Sequence, residues 1–144
     1  MYFEDYYVGQ VFDDIEPMVY TKEELIRAGK NWDPRDIHIY EKNPYYDTII
    51  SPGFYSLMTC WGQWVKTGID RDGIIAGFGI REALWKKPIY ADTKYKIKIE
   101  IVGKQVRKEG RNGLVAYKMT VTDPSGEVCL ECTPLALVRF KNSK

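Results

Sequence analysis

Histidine is almost missing from this chain: His38 is the only one in 144 residues. Its side chain has an unperturbed pKa closest to neutrality, so proton chemistry at working pH has one natural place to occur. Cysteine is scarce too. Cys60, Cys129 and Cys132 are an odd and small set, which reads as reduced thiols and not as a disulfide framework. Cys129 and Cys132 have the spacing of a metal knuckle, but no second pair completes four ligands. They lie in a strand-like run, where residues three apart point to opposite faces, and ordinary strand packing is the expected use. Excess charge of either sign is also absent. With 21 basic and 20 acidic residues the formal net charge is +1, so bulk electrostatics gives no reason to expect nucleic acid or an anionic membrane. No apolar run approaches a membrane span. Met1-Tyr2-Phe3-Glu4-Asp5 is acidic and lacks the basic and apolar regions of a signal peptide, so the chain reads as cytoplasmic. Repeats, low-complexity tracts and linkers are lacking.

What is present is globular. Hydrophobic residues make up 44% and charged ones 28%, and residues 1–144 read as a single domain large enough to bury a core. Thr21-Lys22-Glu23-Glu24 is a capping box that predicts a short helix to about Lys30. Pro34 disfavours helix at Asp33, and the stretch from Asn31 to His38 is one a helix does not easily occupy. A short turn or helix is expected near Glu41 to Asp47. Ser51 is the expected N-cap of the main helix, roughly Pro52 to Lys66, with Pro52 at the first helical position. Phe54, Leu57, Met58, Cys60, Trp61, Trp64 and Val65 make that helix apolar nearly all round, so it should be wrapped on most sides by protein. Gly68 supplies its stop.

From Gly73 onward the period changes to two. Lys94 to Ile101 alternates perfectly, Val115, Tyr117, Met119 and Val121 repeat the pattern, and Val128 and Leu130 start it again. Asn112-Gly113 and Asp123-Pro124-Ser125-Gly126 are the expected turns. The result is an α+β domain in which an antiparallel meander can curve around one enclosed helix.

The chemistry-bearing stretch is Asp33-Pro34-Arg35-Asp36-Ile37-His38. A carboxylate near a histidine can orient the ring and share its proton work. From these residues alone, Asp33 as a turn cap and His38 as a packed or hydrogen-bonded core residue is the simpler reading.

Several ordered motifs together change that balance. Phe3-Glu4-Asp5 with Val8-Gly9-Gln10, the Asp33–His38 loop, Ile50-Ser51-Pro52-Gly53-Phe54, and Gly79-Ile80-Arg81-Glu82-Ala83-Leu84-Trp85 with Pro88 and Asp92-Thr93 resemble the MaoC-like dehydratases over nearly the full length. That group has the hot-dog fold and includes the (R)-specific enoyl-CoA hydratases. The resemblance implies a curved antiparallel sheet wrapped around a long central helix. The departures are Arg35 and Asp36, where relatives keep uncharged residues, Ala91 for a glycine, and Pro52 before the helix-start glycine.

The resemblance implies catalytic roles for Asp33, His38 and Gly53. Asp33 and His38 would grip one water, whose oxygen adds to the β carbon of a 2-enoyl-CoA thioester while a proton reaches the α carbon. The Gly53 N–H would donate to the thioester oxygen, a role suited to a helix start, where amides are unpaired and the dipole is positive. It implies no metal or redox cofactor, coenzyme A as part of the substrate, and a homodimer or dimer-based assembly with no nucleic-acid or membrane partner. An acyl-CoA thioesterase and a non-catalytic acyl-binding or assembly module are the rival readings. Gly77-Phe78-Gly79 lacks the context of a dinucleotide loop. Lys104, Arg107, Lys108 and Arg111 read as a solvated hairpin tip before a coenzyme A contact. Trp32, Trp61, Trp64 and Trp85 read as core or interface, and Arg35 and Asp36 as paired with each other or with solvent.

Overall fold

A computed structural model describes residues 1–143. Its first helix, α1 (Lys22–Trp32), begins where the capping box requires. Thr21 Oγ1 accepts from the Glu24 N–H at 3.1 Å, and Glu24 Oε1 accepts from the Thr21 N–H at 2.7 Å, so two orphan donors are satisfied reciprocally. The helix runs past the expected end at Lys30, taking in Asn31 and Trp32. A four-residue helix, α2 (Asp36–Ile39), then occupies the loop that local sequence seemed to deny it. Long-range bonds described below hold this single turn. Residues 41–48 form bends, with Asn43 Oδ1 accepting from the N–H groups of Tyr45 and Tyr46, so the turn and not a helix forms there.

The main helix α3 spans Gly53–Lys66, 14 residues, with Pro52 and not Ser51 as its N-cap. The Ser51 hydroxyl is taken by a side chain instead: Ser56 Oγ donates to Ser51 Oγ at 2.6 Å, in a buried position. Leu57, Cys60 and Trp64 turn inward, whereas Phe54 is 80% exposed and Met58 61%. The helix is therefore enclosed on one side and not all round. Its exposed flank is apolar, which bears on assembly.

Five strands form one antiparallel sheet: β1 (Val11–Phe12), β2 (Ile74–Trp85), β3 (Lys96–Lys108), β4 (Asn112–Thr122) and β5 (Val128–Arg139), in the order β1-β3-β4-β5-β2. The expected meander is β3-β4-β5. In it Ile97 faces Val121, Ile99 faces Met119 and Ile101 faces Tyr117, and all six are buried. These pairs, with Leu130, Cys132 and Val138 of β5, cover the inner face of α3 in one core. Strand β2 breaks the period-two expectation. It lies at the sheet edge, exposed along most of its length, and its pairing with β5 shifts register three times.

The β3–β4 turn falls at residues 109–111, with Gly110 at φ +68°, and Asn112-Gly113 opens β4 instead. Gly113 serves packing: a Cβ there would stand 2.2 Å from the Phe3 ring. The Asp123–Gly126 turn forms as expected, with Asp123 Oδ1 accepting from the N–H groups of Ser125 and Glu127. All three cysteines are free and buried. Burial pushes the Cys60 and Cys132 thiols up to about 11, which leaves almost no thiolate at neutral pH. Among the described residues, no group of three or more His, Cys, Asp and Glu side chains could hold a metal, and no helix is long and apolar enough to cross a membrane.

Candidate active site

Asp33 follows α1 directly, with φ −151° and ψ 78° and its N–H bonded to Gly29 O at 2.9 Å. Pro34 makes this stop local, since the residue before proline avoids helical ψ. The chain then turns through Arg35 into α2, where His38 Nε2 comes to 3.3 Å from Asp33 Oδ2. The histidine is 4% exposed. Its other nitrogen, Nδ1, lies 2.7 Å from Ile50 O. A carbonyl oxygen only accepts, so Nδ1 carries the hydrogen, and in the neutral form of the ring Nε2 turns a lone pair toward Asp33. Two acceptors at that distance need a proton between them or a donor beside them. A water molecule is such a donor.

Three contacts from distant sequence set this geometry. Ile50 N–H donates to Ile37 O at 3.0 Å, and Ser51 N–H donates to Ile89 O at 2.8 Å, fixing the strap that carries the His38 partner. Gly29 is the third. A Cβ there would stand 2.8 Å from His38 Cβ and 2.9 Å from His38 O, so α1 and α2 meet as closely as they do because Gly29 has no side chain. The sequence reading missed Gly29, although a glycine inside a helix, at a cost of about 1 kcal/mol against alanine, is a signal of close approach.

The structure brings His38 and Gly53 to one cavity of about 290 Å³, whose other walls include Ser51, Ser56, Trp85 and Lys87. The Gly53 N–H has no hydrogen-bond acceptor among the described residues, as expected for a first-turn amide. Trp85 lies against it: its Nε1–H donates to Gly53 O at 2.9 Å, and a Cβ on Gly53 would stand 2.8 Å from the indole. Trp85, read as core or interface, is thus a wall of the site. Asp33 opens onto a second, adjoining space of about 530 Å³, together with Trp32, Arg35, Pro52, Phe54 and Met58. The two acidic-loop charges do not pair with each other. Arg35 Nη1 instead reaches the same Asp33 Oδ2 at 3.2 Å, so that oxygen serves both Arg35 and His38. At the cavity rim, Lys87 is held by Asp123 at 2.8 Å and by Glu127. Those hydrogen bonds raise the Lys87 ammonium pKa and, returned by Lys87, hold Asp123 well below the usual carboxylate range.

No protein-family model matches the chain. The uncharacterized protein YdeM of Bacillus subtilis (strain 168) is 26% identical over 111 residues, 75% of this chain and 78% of that protein. Among solved structures, the monoamine oxidase regulatory protein of Archaeoglobus fulgius matches with a TM-score of 0.88 at 25% identity, covering 98% of this chain and 95% of that one. The MaoC-like dehydratase of Rhodospirillum rubrum matches with a TM-score of 0.87 at 19% identity, covering 98% of each. The fold is the hot-dog fold. Hot-dog chains in complex also resemble it: the HadBC (3R-hydroxyacyl-ACP dehydratase) complex of Mycobacterium tuberculosis matches with a TM-score of 0.76 at 16% identity, over 90% of this chain and 96% of that one. Within the hot-dog frame of this protein, α3 is the sausage and β1–β5 the bun, and the Asp33–His38 loop lies beside the start of α3.

Proposed function

We propose that the protein is a MaoC-type hydratase/dehydratase that adds water reversibly to the double bond of a 2-enoyl-CoA, giving a 3-hydroxyacyl-CoA. The observation that carries this reading is the Asp33–His38 contact of 3.3 Å with Nδ1 locked on Ile50 O. Held so, Nε2 and the carboxylate are two acceptors aimed at one water. In the hydration direction, Nε2 takes a proton from that water and its oxygen bonds to the β carbon. The electron pair of the double bond passes toward the thioester carbonyl, to whose oxygen the Gly53 N–H donates. A proton returned from the dyad to the α carbon completes the product, and the enzyme regains its starting state. No metal or redox group enters this scheme, and coenzyme A enters with the substrate.

The test is incubation with crotonyl-CoA and longer enoyl-CoAs, following loss of the conjugated double bond and release of free thiol together. Bond loss without thiol is expected. Thiol release would identify a thioesterase, which directs water to the carbonyl, and inertness across a broad thioester panel would leave an acyl-binding module.

The same reading includes a homodimer formed through β2. This twelve-residue strand is an unpaired edge with Ile75, Phe78, Ile80 and Leu84 at 48–55% exposure, and Phe54, Met58 and Val65 extend the apolar surface along α3. A long apolar edge left open invites pairing. Sedimentation of the wild type should give a dimer, and Phe78→Glu with Ile80→Lys should give a folded monomer. A monomeric wild type would rule the assembly out.

A further inference from the structure

The Ser51 hydroxyl, expected as a helix cap, has no such duty in the structure, because Pro52 takes that place. Ser51 is 6% exposed and Ser56 1%, and both line the cavity of about 290 Å³ with His38 and Gly53. A hydroxyl carries one hydrogen and two lone pairs. Ser56 directs its hydrogen to Ser51 Oγ, at 2.6 Å, so the Ser51 hydrogen must point elsewhere. The acceptor it has is Pro52 O at 3.2 Å, long against the spacing of about 2.7–2.8 Å usual for O–H···O bonds. That oxygen already accepts from the Ser56 N–H at 3.1 Å. The Ser51 hydrogen is therefore weakly held, at a wall of the site.

The backbone fixes where this hydroxyl stands. Ser51 N–H is bonded to Ile89 O at 2.8 Å, and the neighbouring Ile50 O holds the His38 ring. Pro52 has no N–H, so the strap offers no backbone donor between Ser51 and Gly53. Three other donors on the cavity walls are committed. Trp85 Nε1–H is bonded to Gly53 O, Lys87 to Asp123 and Glu127, and Lys86 to Glu131.

We propose that Ser51 is a further catalytic residue, whose O–H donates to the thioester carbonyl oxygen beside the Gly53 N–H, so that two donors hold that oxygen. This rests on the function proposed above only in requiring a thioester in the cavity, since carbonyl polarisation serves addition to the double bond and hydrolysis alike. The hydrogen stays on Ser51 throughout. It leaves Pro52 O for the substrate oxygen, and the new bond strengthens as negative charge develops there. The bond received from Ser56 polarises the Ser51 O–H and makes it a better donor.

The experiment is absorption titration of the full chain with 4-(dimethylamino)cinnamoyl-CoA, whose band moves to longer wavelength when its carbonyl oxygen accepts hydrogen bonds, together with crotonyl-CoA kinetics. The wild type should shift the band. Ser51→Ala should reduce that shift and lower kcat by about 10²-fold, the usual cost of one such donor, with KM little changed. Ser51→Thr, which keeps the hydroxyl, should restore both. Asp33→Asn should lose hydration yet keep the shift, which separates failure of the dyad from failure of Ser51. Thiol release in place of hydration, with the shift reduced in Ser51→Ala, leaves the proposal standing. An undiminished shift in folded Ser51→Ala overturns it, as does wild-type turnover in that variant. A wild type that does not bind the probe overturns it too, together with the thioester reading. If Ser51→Ala fails to fold, Ser56→Ala decides. That variant keeps the Ser51 hydroxyl but removes the bond that polarises it, so the shift should shrink, and an unchanged shift sinks the proposal.

Discussion

If the proposed chemistry holds, Asp33→Asn and His38→Ala should each lower crotonyl-CoA hydration by about 10²–10⁴-fold, the usual worth of a positioned acid–base group. In Asp33→Asn the shape is kept, but the acceptor facing Nε2 loses its charge, and an amide N–H can occupy the place of the water. The Asp33 side chain is 28% exposed, so the fold should survive. His38→Ala is more invasive. It removes a buried ring and leaves Ile50 O without the bond it accepts at 2.7 Å, a loss of about 1–3 kcal/mol. Thermal melting must accompany the kinetics, and Asp33→Asn is the cleaner variant. Turnover within a few-fold of wild type in either folded protein would remove the dyad from the mechanism.

Gly29→Ala should reduce the same activity by about 100-fold, although it touches neither substrate nor water. The added methyl would stand 2.8 Å from His38 Cβ and 2.9 Å from the His38 carbonyl oxygen. Neither neighbour is the free end of a flexible side chain, so α2 must move. A displacement near 1 Å at a catalytic group costs about that factor. Overpacking of this kind destabilises by about 1–3 kcal/mol, set against the gain of about 1 kcal/mol from alanine's better helix propensity. Gly62→Ala is the control: it lies within α3, and a Cβ there meets nothing within 4 Å. That variant should gain up to about 1 kcal/mol and keep full activity. If Gly29→Ala melts and turns over like the wild type, the close approach of α1 and α2 does not position His38.

The elements that could be read early are those whose signals are local. The Thr21–Glu24 box, the proline-glycine start of α3, the alternation of β3 and β4 and the Asp123–Gly126 turn each depend on residues a few positions apart. The misplacements have tertiary causes. Asn112-Gly113 has the composition of a hairpin turn, yet Phe3 packs where a Gly113 side chain would be, and the turn moves to Gly110. Helix α2 is too short to be stable alone. It persists because Ile37 O and the His38 ring are both bonded to Ile50. The all-round apolar helix is half-wrapped, since the chain alone does not cover Phe54 and Met58.

For the site, sequence by itself determined which groups are available: one imidazole, a carboxylate five positions before it, and a glycine at a helix start. Pro34 also disfavoured helix at Asp33, although the end expected near Lys30 comes two residues later, at Trp32. Only the tertiary structure decided that His38 is buried with Nδ1 committed to Ile50 O, and that Arg35 shares the Asp33 oxygen. It alone decided that Trp85 lies on Gly53 and that Gly29 sets the distance between the helices. The reason is one of range. Caps, turns and periodicity are satisfied within a few residues, whereas an imidazole's second hydrogen bond and the space beside a glycine are supplied by chain 9 to 32 positions away.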